Sequence, residues 1–243
     1  MKAVILSAGQ GSRLLPLTAD RPKCLLPLDG KTLIEWQIAI LRQCGVSEIV
    51  VVVGFRAAMV EELLARLGGP DLAIRTVFNP FYGVADNLGS CWLARHEMDR
   101  DFLIVNGDTL FEAEVPRRLL ASQSAPITVT IDRKSSYDAD DMKVRLDGSR
   151  LLEIGKMLPP DRINGESIGL LLFRGEGPGL FREAVERAMR SHEGLTWWYL
   201  KVIGQLAKSH PVETLSIAGL GWGEVDYPAD LMRAQKLVAG WRC

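Results

Sequence analysis

The chain has 243 residues, enough for one large domain, and its composition, 47% hydrophobic and 24% charged, is that of an ordinary soluble globular protein. The formal net charge of −1 gives no global attraction to nucleic acid or to an anionic membrane, so we expect neither as a partner. The apolar N-terminal stretch is too short for a signal peptide, and we therefore expect a cytoplasmic protein.

The first half of the chain alternates short β-branched runs with amphipathic helical patterns. These patterns predict strands over Ala3–Ser7, Glu48–Val53, Ala73–Phe78 and Phe102–Val105. They predict helices that begin at Thr32, run from Met59 to Leu67, and cover Leu88–Met98, the first of them opened by a Thr32–Glu35 capping box. Strands that alternate with helices imply right-handed crossovers and a parallel sheet.

The second half brings strand patterns closer together, with less room for helices between them. Strands are predicted over Ile127–Asp132, Met142–Leu146, Leu151–Ile154 and Ser167–Phe173, and helices over Gly179–Arg190, Thr196–Lys208 and from Pro228 to Ala239. Closely spaced strands favour antiparallel or mixed additions to the sheet. The predicted fold is a Rossmann-like three-layer α/β/α sandwich with a mixed, mainly parallel sheet.

A glycine-rich loop follows the first predicted strand, with the sequence Ser7-Ala8-Gly9-Gln10-Gly11-Ser12-Arg13-Leu14. Its glycines leave backbone N–H groups able to approach a phosphate, while Arg13 and the later Lys23 add positive charge. A dinucleotide-binding fingerprint is excluded because its third glycine would fall at Leu14, and the lysine that ends a Walker A loop is missing. A glycine-rich turn with surface cations remains the structural alternative.

Two acidic residues stand at the ends of predicted elements. Asp108 ends the run Ile104-Val105-Asn106-Gly107-Asp108, at the carboxyl edge of the sheet, where open α/β folds place ligands. A hard carboxylate there suits Mg²⁺ bound to a triphosphate. Asp226 precedes Pro228 in the late run Trp222-Gly223-Glu224-Val225-Asp226-Tyr227-Pro228. Either acid could instead cap a turn or a helix.

The glycine-rich loop together with Pro22-Lys23 resembles the signature of the sugar-1-phosphate and choline-phosphate nucleotidyltransferase family, and the resemblance covers nearly the whole chain. The sequence departs from that signature at Ser12, where Thr is usual, and at Cys24, where Pro or Ala is common. The resemblance implies that residues 1–110 form a nucleotide-binding half and residues 111–243 an acceptor-binding half of a single domain.

The same resemblance implies the roles of individual residues. Asp108 and Asp226 would hold Mg²⁺, Arg13 the leaving pyrophosphate, and Lys23 the charge that builds at the α-phosphate. The expected nucleotide-binding residues are Leu6, Ala8, Gly9, Gly11, Ser12, Arg13, Lys23, Asn87 and Ser90. Lys156 would contact the acceptor phosphate, and Glu166 would line the acceptor pocket.

The choice of substrates rests on the middle of the chain. Asn87-x-x-Ser90 resembles a segment of phosphocholine and inositol-phosphate cytidylyltransferases, although the same pair could cap a helix. Aromatic residues from Trp197 to Tyr199, with Trp222, could surround a quaternary ammonium. Because consecutive aromatics cannot all face one way, they also fit core contacts or a homodimer interface.

We therefore expect a Mg²⁺-dependent nucleotidyltransferase that joins an NTP, CTP by resemblance, to a small phosphorylated acceptor such as phosphocholine and releases pyrophosphate. Two alternatives remain at this stage. One is a sugar-1-phosphate uridylyl- or guanylyltransferase, and the other is a non-catalytic module that senses nucleotides.

Overall fold

The computed structural model describes residues 1–122 and 125–241. The strands are β1 Lys2–Ser7, β2 Pro27–Leu28, β3 Lys31–Thr32, β4 Glu48–Val53, β5 Ala73–Phe78, β6 Phe102–Asn106, β7 Thr109–Phe111, β8 Ile127–Asp132, β9 Lys143–Asp147, β10 Arg150–Gly155, β11 Gly165–Phe173, β12 Val212–Ser216 and β13 Trp222–Glu224. The helices are α1 Leu33–Gln43, α2 Ala57–Leu67, α3 Asn87–Leu93, α4 Glu114–Ala121, α5 Gly177–Met189, α6 Tyr199–Leu206 and α7 Pro228–Val238.

The first half forms the parallel part of the sheet, as the alternating patterns predict. Strand β1 lies between β4 and β6 and is parallel to both, and β5 extends the sheet parallel to β4. The predicted capping box opens α1: the Glu35 carboxylate accepts a hydrogen bond from the Thr32 backbone N–H at 2.7 Å, and the Thr32 hydroxyl accepts one from the Glu35 N–H at 3.4 Å. This half places the carboxyl ends of β1, β4 and β6 side by side.

The second half adds the antiparallel and mixed ladders that its closely spaced strands predict, so the sheet as a whole is not mainly parallel. In the nine-stranded sheet of the described residues, four ladders (β1–β4, β1–β6, β4–β5 and β8–β12) are parallel and five (β6–β11, β8–β11, β9–β10, β10–β12 and β9–β11) are antiparallel. The connections explain the change, because β9 and β10 are joined by a tight turn at Gly148 and no crossover helix separates them. Strands β11, β8, β12, β10 and β9 close into a ring.

Side chains from the two faces of the sheet pack into two hydrophobic clusters. Along β1, Ala3 and Ile5 enter one cluster, whereas Val4 enters the other. Helices α1, α2, α4 and α7 contribute to the first cluster, and α3, α5 and α6 to the second. Each fully buried Val, Leu or Ile side chain contributes about 1.5–3 kcal/mol to folding. The continuous apolar run of β4 is explained by this two-sided burial.

Several elements differ from the predicted ones. Helix α3 ends at Leu93 and is followed by a 3₁₀ turn over Arg95–Glu97, and α6 begins only at Tyr199. The patterns missed the short elements of the fold, which are α4, β2, β3, β7, β12 and β13. No helix in residues 1–122 and 125–241 is long and apolar enough to cross a membrane.

Candidate active site

Two loops meet at the carboxyl edge of the parallel strands. The glycine-rich loop leaves β1, and the Gly107-Asp108 turn leaves the neighbouring β6. A Cβ on Gly107 would lie 2.4 Å from the carbonyl oxygen of Leu6, so a larger residue would push the loops apart. Gly11 adopts a φ of +78°, and a Cβ there would lie 2.9 Å from the Lys23 Cβ. Glycine is therefore required at both positions for the loops to approach this closely.

Four predicted site residues come together beside these loops. Lys23 Nζ donates to Asp108 Oδ2 at 2.7 Å and to Asp226 Oδ1 at 2.9 Å. Arg13 Nη2 lies 2.9 Å from the same Asp226 Oδ1. The acids come from positions more than a hundred residues apart in the chain, so the fold brings two cations and two carboxylates into one cluster.

A small second sheet carries Asp226 to Asp108. Strand β13 pairs antiparallel with β7, and the Val225 N–H donates to the Asp108 carbonyl at 3.1 Å. The cap of α7 is provided by Asp230, whose Oδ2 accepts from the N–H groups of Asp226 (3.0 Å) and Tyr227 (2.7 Å). The alternative in which Asp226 caps this helix is therefore wrong, and its carboxylate stays with Lys23 and Arg13.

A buried glutamine on α1 supports the loop that carries Asp108. Gln37 is 1% exposed, and its Nε2 donates to the carbonyls of Asn106 at 2.8 Å and Thr109 at 2.7 Å. These two bonds bracket Asp108 on both sides. No sequence signal pointed to Gln37, because a polar residue within an amphipathic helix pattern usually lies on the solvent side.

The charges of the cluster shift the pKa values of its members. Burial alone would lower the pKa of the Lys23 ammonium, but Asp108 and Asp226 raise it above its ordinary value. Glu224, on β13, has a pKa raised to about 8, because partial loss of contact with water and the negative charges of Asp108 and Asp226 both disfavour its charged form. The cluster thus keeps Lys23 charged.

The donor set fits a magnesium ion that is shared with phosphates. Asp108 Oδ1 is buried and has no hydrogen-bond partner among the described residues, so one hard oxygen is free to bind a cation. Within residues 1–122 and 125–241, no group of three or more His, Cys, Asp or Glu side chains forms a ready-made metal site. Asp108 and Asp226 could therefore hold Mg²⁺ together with water and substrate phosphates, as is usual for this ion.

Two cavities flank the cluster. The smaller, of about 190 Å³, is lined by Leu6, Ser7, Gly9, Gly11, Lys23, Cys24, Asn87, Asn106, Gly107 and Asp108. The larger, of about 680 Å³, lies on the other side, and Asp226 is part of its wall. Because Lys23 and Asp108 line one cavity and Asp226 the other, the ion pairs of Lys23 stand at the boundary between them.

The smaller cavity gathers some of the expected nucleotide-binding residues and leaves others outside it. Its wall includes Leu6, Gly9, Gly11, Lys23 and Asn87. The Asn87 Oδ1 accepts a hydrogen bond from the Tyr199 N–H at 2.9 Å, so this side chain also ties α3 to the start of α6.

Four expected nucleotide-binding residues do not line the smaller cavity: Ala8, Ser12, Arg13 and Ser90. Ala8 is buried, and its carbonyl accepts from the Phe55 N–H at 2.9 Å. Ser12 is exposed on a 3₁₀ turn. Ser90 is also buried, and its hydroxyl accepts a hydrogen bond from Asn79 at 3.0 Å. In this structure Ser90 supports the fold.

The expected acceptor residues lie on the side of the larger cavity. Glu166 is 3% exposed and pairs with Lys134 at 2.9 Å, and burial raises its pKa to about 7 in spite of that lysine. Lys156 pairs with Asp140, which is part of the cavity wall, at 3.3 Å. Lys134 and Asp140 were missed from the sequence; the acid-rich run after β8 was the one available signal.

The four aromatic residues considered for a cage are dispersed. Tyr199 is fully buried and packs edge-on against Phe181. Trp197 packs against the second hydrophobic cluster, and Trp198 lies under the ammonium of Lys156. Trp222 alone lines the larger cavity, so the four do not form a common cage.

The chain is similar in sequence to known proteins. A model of the MobA-like NTP transferase domain matches residues 3–194. A bifunctional IPC transferase and DIPP synthase of Rubrobacter xylanophilus is 34% identical over 244 residues, which are 98% of this chain and 52% of the relative. The choline-phosphate cytidylyltransferase of Streptococcus pneumoniae is 36% identical over 112 residues, 46% of this chain and 47% of that protein.

The fold is also that of solved structures. The inositol-1-phosphate CTP transferase from T. maritima superposes with a TM-score of 0.81 over 100% of this chain and 98% of that chain, at 22% sequence identity. At this identity the likeness establishes the α/β fold with its mixed sheet. The matches span about half the length of the two curated relatives.

Proposed function

The chain belongs to the MobA-like NTP transferase family, and from that premise we propose that it transfers a cytidylyl group from CTP to a small phosphate monoester and releases pyrophosphate. One observation carries the proposal: the cluster of Arg13, Lys23, Asp108 and Asp226 stands at the boundary of two cavities. A transferase must bring two substrates to one phosphorus, and this arrangement provides a place for each.

The proposed division of labour follows the two cavities. Residues 1–110 would form the nucleotide-binding half and residues 111–243 the acceptor-binding half of a single Rossmann-like three-layer domain. The nucleotide would enter the smaller cavity, where backbone N–H groups of the glycine-rich loop and the Asn87 amide are within reach. The acceptor would enter the larger cavity beside Glu166 and near Lys156.

The chain's own residues would act by positioning and by charge. The acceptor phosphate is already an anion at neutral pH, so no general base is required. Lys23 would stabilise the charge that builds at the α-phosphate, and Arg13 would bind the leaving pyrophosphate through its planar fork of donors. Mg²⁺ bound by Asp108 and Asp226 would supply charge neutralisation at the phosphates. Gln37 and Asp230 hold the two carboxylate-bearing loops.

The choice of CTP and of a compact acceptor is supported by the names of the related proteins. A choline-phosphate cytidylyltransferase and an inositol-1-phosphate CTP transferase are among the proteins similar to this chain. The Asn87 side chain in the smaller cavity can donate to a pyrimidine edge from its Nδ2, and its Oδ1, which already accepts from the Tyr199 N–H, has a second lone pair.

The test is a screen of CTP, UTP, GTP and ATP against phosphocholine, inositol-1-phosphate and hexose-1-phosphates, with Mg²⁺ and with pyrophosphate release as the readout. We expect release with CTP and a compact monoester. Faster turnover of a hexose-1-phosphate with UTP or GTP would replace the cytidylyl assignment with a sugar-1-phosphate one. Nucleotide binding without pyrophosphate release from any pair would mean a sensing module, and the proposal would be wrong.

A further inference from the structure

The carboxylate of Asp140, in a loop, pairs with both Arg13 and Lys156, the two cations that would bind different phosphates in the proposed reaction. Asp140 lies between β8 and β9, and 47% of its side chain is exposed. Arg13 Nη1 lies 3.0 Å from Asp140 Oδ2, and Lys156 Nζ lies 3.3 Å from Oδ1. The Tyr227 hydroxyl donates to Oδ2 at 2.9 Å. Three donors from three separate parts of the chain thus converge on one exposed anion.

The backbone of this loop is shaped without the Asp140 side chain. Asp138 Oδ1 accepts from the N–H groups of Asp140 (3.0 Å) and Asp141 (3.2 Å), and Asp141 Oδ2 accepts from the Asp138 N–H at 2.8 Å. The buried ammonium of Lys143 donates to the carbonyls of Asp138 and Asp141. The loop therefore presents the Asp140 carboxylate to the cations, and an uncharged side chain at this position leaves these bonds in place.

The carboxylate and the substrates compete for the same N–H donors. In an in-line displacement the entering and the leaving oxygens lie on opposite sides of the α-phosphorus. Arg13, on the leaving pyrophosphate, and Lys156, on the acceptor phosphate, then have to serve two different anions. As long as both are paired with Asp140, its negative charge offsets theirs and takes up one N–H group of each, so a phosphate must compete with it for both cations.

We propose that Asp140 is an internal counter-anion, which occupies Arg13 and Lys156 in the free protein and which substrate phosphates displace, so that it sets the affinity of both phosphate subsites. This inference rests on the proposed function for the roles of the two cations. In the free protein the carboxylate keeps both side chains at the site and neutralised. On binding, their hydrogen bonds pass to phosphate oxygens, and the exposed carboxylate returns to water.

The test measures the binding of inorganic pyrophosphate to the full chain by titration calorimetry. Asp140→Asn keeps the size of the side chain and removes its charge. Because this substitution breaks two ion pairs between partly exposed groups and leaves the cations available, we expect pyrophosphate to bind roughly three- to tenfold more tightly. The control is Asp147→Asn, an exposed acid at the end of β9 next to the turn to β10, which removes the same charge away from both cations. Its affinity should equal that of the unaltered protein.

A double-variant cycle links the gain to Arg13. In an Arg13→Ala background, Asp140→Asn should improve pyrophosphate binding by about twofold or less, because its partner is gone. Unchanged or weaker binding by Asp140→Asn alone, or no pyrophosphate binding by any variant, would overturn the inference. A gain of the same size in the Asp147→Asn control would also overturn it. Tighter binding without turnover of any NTP–acceptor pair would support the inference and refute the proposed function.

Discussion

At the scale of single residues, the site pairs two carboxylates with two cations, and Asp226 contacts both cations. Its Oδ1 receives both Lys23 and Arg13, while Asp108 shares Lys23 and keeps a second oxygen free of hydrogen bonds among the described residues. Removal of either acid leaves Lys23 with one carboxylate partner. The two carboxylates are thus linked through one ammonium, and we expect their loss to affect turnover far more than folding.

We predict that Asp108→Ala and Asp226→Ala each lower kcat by about 10²-fold or more, because each removes a ligand of the proposed Mg²⁺, which would neutralise the negative charge of the phosphates. Steady-state kinetics at saturating Mg²⁺ measure the effect, and circular dichroism monitors the fold. Asp161→Ala, an exposed acid on a 3₁₀ turn, serves as the control and should keep normal kcat. Near-normal kcat in either site variant would exclude that acid as a required ligand.

The role proposed for Arg13 depends on the planar shape of its guanidinium as well as on its charge. The guanidinium contacts Asp226, Asp140 and the Tyr227 ring at once, which a point-charge ammonium cannot reproduce. We predict that Arg13→Ala weakens NTP binding and slows turnover and that Arg13→Lys restores only part of each, as measured by kcat and KM for CTP. Full activity of the lysine variant would show that charge alone matters at this position.

At the scale of secondary-structure elements, the first turn of helix α7 positions Asp226. Its first turn is closed by Asp230, which accepts the N–H groups of Asp226 and Tyr227 and pairs with Arg233. Strand β13 brings the same segment against β7. The direction of the Asp226 carboxylate is therefore set by one cap and one short ladder.

We predict that Asp230→Ala lowers both stability and kcat. Loss of a helix cap costs about 1 kcal/mol, which for a chain of this size lowers Tm by about 2–4 °C. Thermal unfolding measures the first effect, and kcat against KM the second, since a mispositioned Asp226 should reduce kcat. Arg233→Ala removes the ion pair and keeps the cap, so it should have the smaller effect on kcat. Equal kcat losses in the two variants would contradict the positioning role.

At the scale of the whole molecule, two differently built halves enclose one site. The parallel strands β1 and β6 present loops to the smaller cavity, and the larger cavity is walled by β8 and β11 of the ring, by the loop before β9, and by β13 and α7. That cavity is lined by eight carboxylates and two basic side chains, although the formal charge of the chain is only −1. The acidity is local, and it bears on which acceptor can enter.

We predict that CTP is preferred over UTP and GTP and that a compact phosphate monoester is preferred over hexose-1-phosphates. Glu166 and the acidic wall can pair with a cationic acceptor such as phosphocholine or accept hydrogen bonds from a polyol. Specificity constants, kcat/KM, for each pair measure the preference. A higher kcat/KM for a hexose-1-phosphate with UTP or GTP than for any CTP pair would contradict it.

Much of the first half of the fold could be predicted from the sequence, since strong periodicity and a capping box mark β1, β4, β5, β6 and α1. The antiparallel and mixed additions predicted for the second half are present, but the sheet as a whole is not mainly parallel, since antiparallel ladders such as β6–β11 join strands that are distant in the chain. The start of α6 was misplaced because the Tyr199 N–H, at the first residue of that helix, bonds to Asn87, which is more than a hundred residues away in the chain. Local propensity contains no information about such a contact.

The sequence by itself determined the chemistry of the site: a glycine-rich loop, Arg13, Lys23 and two acids are readable because they break the apolar periodicity around them. Only the tertiary structure decided which of them meet and what holds them. The β7–β13 ladder places Asp226 beside Asp108, Gln37 braces the Asp108 loop, and Asp140 links Arg13 to Lys156. The physical reason is that each of these contacts joins segments that are distant in the chain. Such contacts stabilise the protein only once folding has brought the segments together.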